Sequence, residues 1–120
     1  MTAAEWKKKI KTACRKAGTY KPFFDSVITT LSEIMEKRDK AQEIFDMSGG
    51  NIMISHTNKA GATNIETNPA VRLINEYNRD ALAYWRDLGL TPAGYKKLTA
   101  DVVEKKEGGS LEKLLEKIAT

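Results

Sequence analysis

Residues 68–98 read NPAVRLINEYNRDALAYWRDLGLTPAGYKKL, and this stretch decides what kind of fold the chain adopts. Asn68 is a helix cap and Pro69 a first-turn proline, whose missing amide costs little where first-turn amides are unpaired anyway. Val71, Leu73, Ile74, Tyr77, Ala81, Leu82, Tyr84, Trp85 and Leu88 recur at helical spacing until Gly89 stops the helix. That apolar set is too wide for one facing partner. Thr91-Pro92 repeats the cap-and-proline signal, so a shorter helix starts there and runs past Leu98 or restarts near Thr99.

Upstream, Phe24, Val27, Ile28, Leu31, Ile34, Met35, Ala41, Ile44 and Phe45 form one apolar stripe with no breaker before Gly49-Gly50. The stripe predicts a helix from Lys21 to Met47, roughly 40 Å long at about 1.5 Å per residue. Its natural partner is the Asn68 helix, so residues 20–48 and 68–88 form an antiparallel hairpin. Between them, residues 49–67 lose the helical period. Ile52, Ile54 and His56 alternate there with Met53, Ser55 and Thr57, before a turn-rich Asn58-Lys59-Ala60-Gly61. A small β-hairpin or an irregular arm projecting from the loop end is expected.

At the N-terminus, Thr2 followed by Glu5 fits a capping box, and Trp6, Ile10, Ala13, Cys14 and Ala17 give a helix from Ala3 to Ala17. Gly18 ends it, and Thr19 is placed to cap the next helix. At the other end, Gly108-Gly109 reads as a flexible joint. Ser110 can cap an amphipathic piece carrying Leu111, Leu114, Leu115 and Ile118. The expected organisation is one mostly α-helical domain over residues 1–107. It comprises a basic helix (1–18), the hairpin with its arm (49–67) and a short helix (91–107), followed by the joint and tail (108–120).

A chain of 120 residues with 41% hydrophobic and 30% charged residues has ordinary single-domain composition. No stretch approaches the roughly 20 apolar residues of a membrane helix, and no secretory signal opens it. One cysteine, Cys14, excludes a disulfide framework and suggests a reducing cytoplasm. Charge is unevenly spread. Residues 1–21 carry Lys7, Lys8, Lys9, Lys11, Arg15, Lys16 and Lys21 against Glu5 alone, a local +6 in a chain of net +4. Such asymmetry suits a nucleic-acid or acidic partner, and equally a solvated helix face.

The inventory for catalysis is thin. His56 is the one histidine, Gly49-Gly50 is not followed by the Lys-Ser/Thr of a phosphate-cradling loop, and almost all the carboxylates sit beside Lys or Arg on helix exteriors. No metal, cofactor or catalytic residue is therefore expected. DNA binding needs less. Lys7, Lys11 and Arg15 lie on one helical stripe at i, i+4 and i+8, flanked by Lys8, Lys9 and Lys16, with Lys21 beyond. Lys96 and Lys97 on the short helix, or Lys59 at the arm's tip, are rival loci. The first helix offers only Arg15 for reading bases, so its cations suit phosphate contact.

Assembly is the other expectation, because helices of globular proteins average about 11–12 residues and the second helix is far longer. Leu31 and Met35 on it, and Tyr77, Tyr84 and Trp85 on the third helix, are the candidate contacts between copies. The competing arrangement is that the first helix and the Thr91 helix cover those aromatics within one chain.

The quoted run also resembles the phage terminase small subunit family, in the branch typified by small terminases of cohesive-end siphophages. Asn68, Pro69 and Ala70 match its helix start, Leu88 through Ala93 its Gly-Leu-Thr-Pro-Ala turn, and Lys96, Lys97 and Leu98 its basic ending. With the long helix and polar segment before them, the likeness covers about Tyr20 to Leu98. Gly94 departs from it, standing where a better helix former would be expected, and the tail from Thr99 matches nothing in it. The resemblance implies a non-enzymatic, ring-forming homo-oligomer in the cytoplasm of the infected bacterial host. Such a protein binds the packaging-initiation site on viral double-stranded DNA and regulates the terminase large subunit, which holds the ATPase and nuclease. The alternative class is a helical adaptor or small DNA-binding transcription regulator. A solution mass separates them, since a dimer favours the regulator and a large closed oligomer the terminase.

Overall fold

The computed structural model describes residues 1–100. It is mostly helical: α1 (Ala3–Ala17), α2 (Asp25–Met47), a two-stranded antiparallel sheet of β1 (Met53–Thr57) and β2 (Thr63–Thr67), and α3 (Pro69–Asp87). A further helix, α4, occupies residues 92–100. The expected joint at Gly108-Gly109, the tail carrying Leu111 to Ile118 and the end of the 91–107 helix lie outside the described residues.

α1 forms as its caps dictate. Thr2 accepts from the Glu5 amide and Glu5 returns a bond to the Thr2 amide, each at 3.2 Å. At the other end Gly18 takes the left-handed conformation (φ 75°), so that its amide reaches Arg15 O and the Thr19 amide reaches Cys14 O. These are the two bonds of a Schellman stop. Thr19 does not cap α2 as expected. It is buried and its hydroxyl donates back to Cys14 O at 3.4 Å, while α2 is entered through a tight 3₁₀ turn, Pro22–Phe24. α2 therefore starts four residues after Lys21 and is about 34 Å long at 1.5 Å per residue. Its buried Ser32 satisfies its hydroxyl on Ile28 O at 2.6 Å, the usual recourse of a serine inside a helix.

α2 packs between α1 and α3, both antiparallel to it. Trp6, Ile10 and Cys14 of α1, Ile28, Leu31 and Met35 of α2, and Ala81 and Leu88 of α3 make one core. The indole of Trp6 meets Trp85 edge-on at 6.4 Å and donates to Asp39 Oδ2 at 2.7 Å. Glu36 accepts from the Ala3 amide at 2.6 Å, so α2 carboxylates hold the electropositive start of α1. Because α1 ends its cover near Asp39, the C-terminal part of α2 and the first turns of α3 pair without a third helix. Ile44 and Met47 are accordingly exposed, at 58% and 86%.

The arm is a regular β-hairpin. Met53 pairs with Thr67 and Thr57 with Thr63. The turn is a type I turn closed by Gly61 N to Asn58 O at 3.0 Å, followed by Gly61 itself at φ 82°. Asn58 Oδ1 fixes it by accepting from Ala60 and Ala62. At the root, Asn68 is 5% exposed and its side chain makes three bonds. Nδ2 donates to Ser48 Oγ and to Asn51 O, both at 3.0 Å, and Oδ1 accepts from the Ala70 amide at 3.1 Å. Its backbone amide adds a bond to Ile52 O at 2.7 Å.

Gly94 has a packing reason. A Cβ there would run into the carbonyl of Arg86, and one at Gly89 would lie 2.7 Å from Leu98 and 2.9 Å from Thr19. Two side-chain-free positions thus let α4 fold back against the end of α3. This is why the better helix former expected at position 94 is absent.

Two outcomes follow for thermal unfolding. Asn68→Ala should lower stability by about 1–3 kcal/mol, the cost of buried polar groups left unpaired. Asn68→Asp, an equal cap by propensity, should not recover it, because the second carboxylate oxygen would face Asn51 O. An Asp variant as stable as wild type would reduce Asn68 to an ordinary cap. The Glu36 carboxyl is held below its ordinary value, first by the Ala3 amide and then by Lys40, against some desolvation. The unfolded chain therefore takes up the proton first as pH falls, so this contribution is complete above the ordinary carboxylate range and is lost on acidification through it. Glu36→Gln should flatten the acid limb of the melting-temperature profile between about pH 5 and 3.

Candidate nucleic-acid interface

The cations expected to meet DNA fall into two kinds of environment. Lys11 lies 3.9 Å from Asp25 and 5.3 Å above the Tyr20 ring, and the Arg15 guanidinium lies 5.1 Å above the same ring. The Tyr20 hydroxyl in turn donates to Asp25 at 2.9 Å. Lys11 and Arg15 are thus drawn toward the junction of α1 and α2, where they share one aromatic face. Lys9 rests 5.0 Å above Trp6. Lys7, Lys8, Lys16 and Lys21 are exposed and have no ion pair among the described residues.

The fold also brings together loci that the sequence left as rivals. Thr19, at the turn after α1, and Leu98, on α4, both close on Gly89 at the end of α3. One end of the bundle is therefore built from the last turn of α1, the entry to α2, the last turn of α3 and α4. It gathers Arg15, Lys16 and Lys21 with Lys96 and Lys97, all but the stacked Arg15 being lysines free to reorient. Arg86, in the last turn of α3, joins them and was missed by sequence reasoning. The available signal was a seven-residue spacing: Arg72, Arg79 and Arg86 are exposed and line one outer face of α3. Lys7, Lys8 and Lys9 lie on the first turns of α1, toward Glu36 and Asp39, and Lys59 stands alone at the tip of the arm.

The residues expected to join copies are sorted differently. Leu31 (0% exposed) and Met35 (4%) lie inside the protomer's own core and offer no surface to a neighbour. Their stripe is apolar as its spacing indicates, but α1 and α3 together enclose it. Trp85 is half-buried against Trp6, and Tyr84 is half-buried against the same core. Tyr77 is half-buried outside that core, and Leu82 is 46% exposed.

Other chemistry has little footing. Cys14 is fully buried, and burial pushes its thiol up against a smaller opposing effect from Thr19, so it is a poor nucleophile. His56 is exposed on the arm. Among the described residues no three His, Cys, Asp or Glu side chains gather as a metal site, and no helix is long and apolar enough to cross a membrane. A concavity of about 540 Å³ between the arm's root and α3 is lined by Glu66, Asn68, Arg72, Asn75, Glu76 and Arg79, with Arg72 3.8 Å from Glu76. Its charges are mixed in pairs, whereas at the α4 end, among the described residues, the cations outnumber the two carboxylates there, Asp25 and Asp87.

No significant similarity to the chain is found among curated proteins or among solved structures. A family model described as phage terminase, small subunit, matches residues 2–105, which takes in every element above. The chain belongs to the phage terminase small subunit family.

Proposed function

We propose that this protein is a DNA-recognition subunit of a packaging motor. It binds viral double-stranded DNA through the basic end of its bundle, assembles as a closed ring, and regulates a large subunit that supplies the ATPase and nuclease. In this reading the protein itself does no catalysis. The observation that carries the proposal is the excess of cations from α1, the α1–α2 turn, α3 and α4 over Asp25 and Asp87 at one end, where Lys16, Lys21, Lys96 and Lys97 form no ion pair among the described residues. Phosphate contact needs such a surface and little else. Lys7, Lys8 and Lys9 extend it along α1.

Ring assembly is supported by the apolar residues that one chain leaves uncovered. Tyr77 and Leu82 sit on different sides of α3, and Ile44 and Met47 on the part of α2 that α1 does not reach. Apolar surface on two sides of a helix pair suits a head-to-tail contact, which closes when its rotation does. Tyr84 and Trp85 contribute only the edges that their own core leaves free.

DNA affinity should fall steeply with salt, and each phosphate contact removed should lower the log–log slope by about 0.9. Lys96→Ala/Lys97→Ala should therefore cost about two such steps. Lys8→Ala/Lys9→Ala/Lys11→Ala should cost nearer two than three, because Lys11 is already engaged by Asp25 and Tyr20. Wild-type affinity and slope in both variants would leave these cations as a solvated face. For assembly, Tyr77→Glu should give smaller species with unchanged helix content, since an unpaired carboxylate is costly to bury. A wild-type chain that is monomeric at micromolar concentration would overturn the ring.

A further inference from the structure

The arm is incomplete as it stands in one chain. Two-stranded hairpins are marginal in water, and this one has neither face covered: Ile52, Met53 and Ile65 are 61%, 52% and 74% exposed, and only Ile54 is half-buried. Its hydrogen-bonding pattern follows from its two ends. Asn58 N bonds Ala62 O, and Asn68 N bonds Ile52 O. Since bonded and non-bonded pairs alternate along an antiparallel ladder, His56–Asn64 and Ile54–Glu66 are the bonded pairs between. Met53, Ser55 and Thr57 on β1, and Thr63, Ile65 and Thr67 on β2, therefore turn their backbone N–H and C=O groups outward. These six also share one face of the sheet, and none carries a charge.

Exposed edges are normally guarded by lysine, proline, a bulge or a covering element. Here the six outward-turned residues lack charge and proline, Glu66 being the one carboxylate on the two strands and lying on the other face, and the bulge glycine lies in the turn, beyond the paired residues. We infer that the arms of adjacent copies pair edge to edge, β1 of one with β2 of the next, into one continuous antiparallel sheet. The occupant is a second copy of this chain because of a counting argument. A bound peptide covers one edge and leaves the other. A two-fold dimer through β1 leaves both β2 edges open. Repetition of β1 against β2 satisfies both edges of every arm, keeps all arms pointing the same way as cyclic symmetry requires, and leaves no edge once it closes. No like charges meet along the seam. The inference rests on the ring proposed above and adds the residues that would seal it.

Amide hydrogen exchange on the full-length assembly tests this residue by residue. The inward amides of Ile54, His56, Asn64 and Glu66 are protected in any intact hairpin. The outward amides of Ser55 and Ile65 exchange at free-peptide rates if arms stand apart, and should be slowed by ~100-fold or more if they pair. Ser55→Pro removes an outward donor while sparing the hairpin's own ladder, a position where proline is tolerated. It should release Ile65 protection and loosen the assembly, whereas Ser55→Ala should change neither. Free exchange at Ser55 and Ile65 in an oligomer of wild-type mass would overturn arm pairing and leave the ring standing. A monomeric wild-type chain would remove both. Protected outward amides in a monomer would also overturn it, assigning the edges to another part of the same chain.

Discussion

The chain reverses direction at Asn68, and most of what is distinctive in the fold depends on that buried amide. Its Nδ2 binds the last turn of α2 through Ser48 and the start of the arm through Asn51, while its Oδ1 starts α3 at Ala70. The backbone amide closes the hairpin's root on Ile52. Four segments meet on one residue, and each bond replaces water at a site where an unpaired group would be expensive. Without that clamp, α2 and α3 would be joined by a long loop with no fixed direction. With it, the arm is held in a set orientation at the far end of a helical pair.

The rest follows from unequal helix lengths. α1 spans 15 residues and α2 spans 23, so three helices enclose a core around Ile28, Leu31 and Met35 while only two continue toward the arm. Burial of a core side chain contributes about 1.5–3 kcal/mol, and the two-helix section has few such side chains. Ala41 and Ala70 are buried there, but Ile44 and Met47 are not. Small residues let the backbones approach and leave the larger apolar groups to the outside. A monomer built this way is firm at one end and under-buried at the other, an asymmetry that the proposed side-by-side assembly would relieve.

Local grammar was legible in the sequence because it is written in neighbours. Thr2 and Glu5 announced their capping box, Gly18 and Gly89 their helix stops, Asn68-Pro69 and Thr91-Pro92 their helix starts, and the alternation from Ile52 to Thr57 its strand. Periodicity also identified Leu31 and Met35 as apolar-facing, yet it gives a direction around the helix axis and no address for what lies there. Assigning them to a neighbouring copy failed for that reason: α1 returns along α2 and meets α3 through Trp6 and Trp85. Thr19 misled in the same way, its hydroxyl having a choice of two helix ends. Gly94 was illegible because its meaning depends on α4 folding back, a contact between segments that no spacing encodes, whereas the Arg72, Arg79 and Arg86 spacing marks a face of α3 but not the α4 end that Arg86 joins.

The two ends of the bundle then differ in chemistry for reasons of construction. At one end four chain segments converge on Gly89 and bring their cations with them, so repulsion among Lys16, Lys21, Arg86, Lys96 and Lys97 is relieved by a polyanion or by salt. At the other, about 34 Å away along α2, the arm offers backbone donors and acceptors with almost no charge. Copies related by rotation about an axis along the hairpin would put every basic end on one rim and every arm on the other. That division would keep the proposed strand pairing apart from the charged contact. On the proposed reading, added salt would weaken a grip on phosphate and leave uncharged strand pairing largely untouched, because screening acts on the first and hardly on the second.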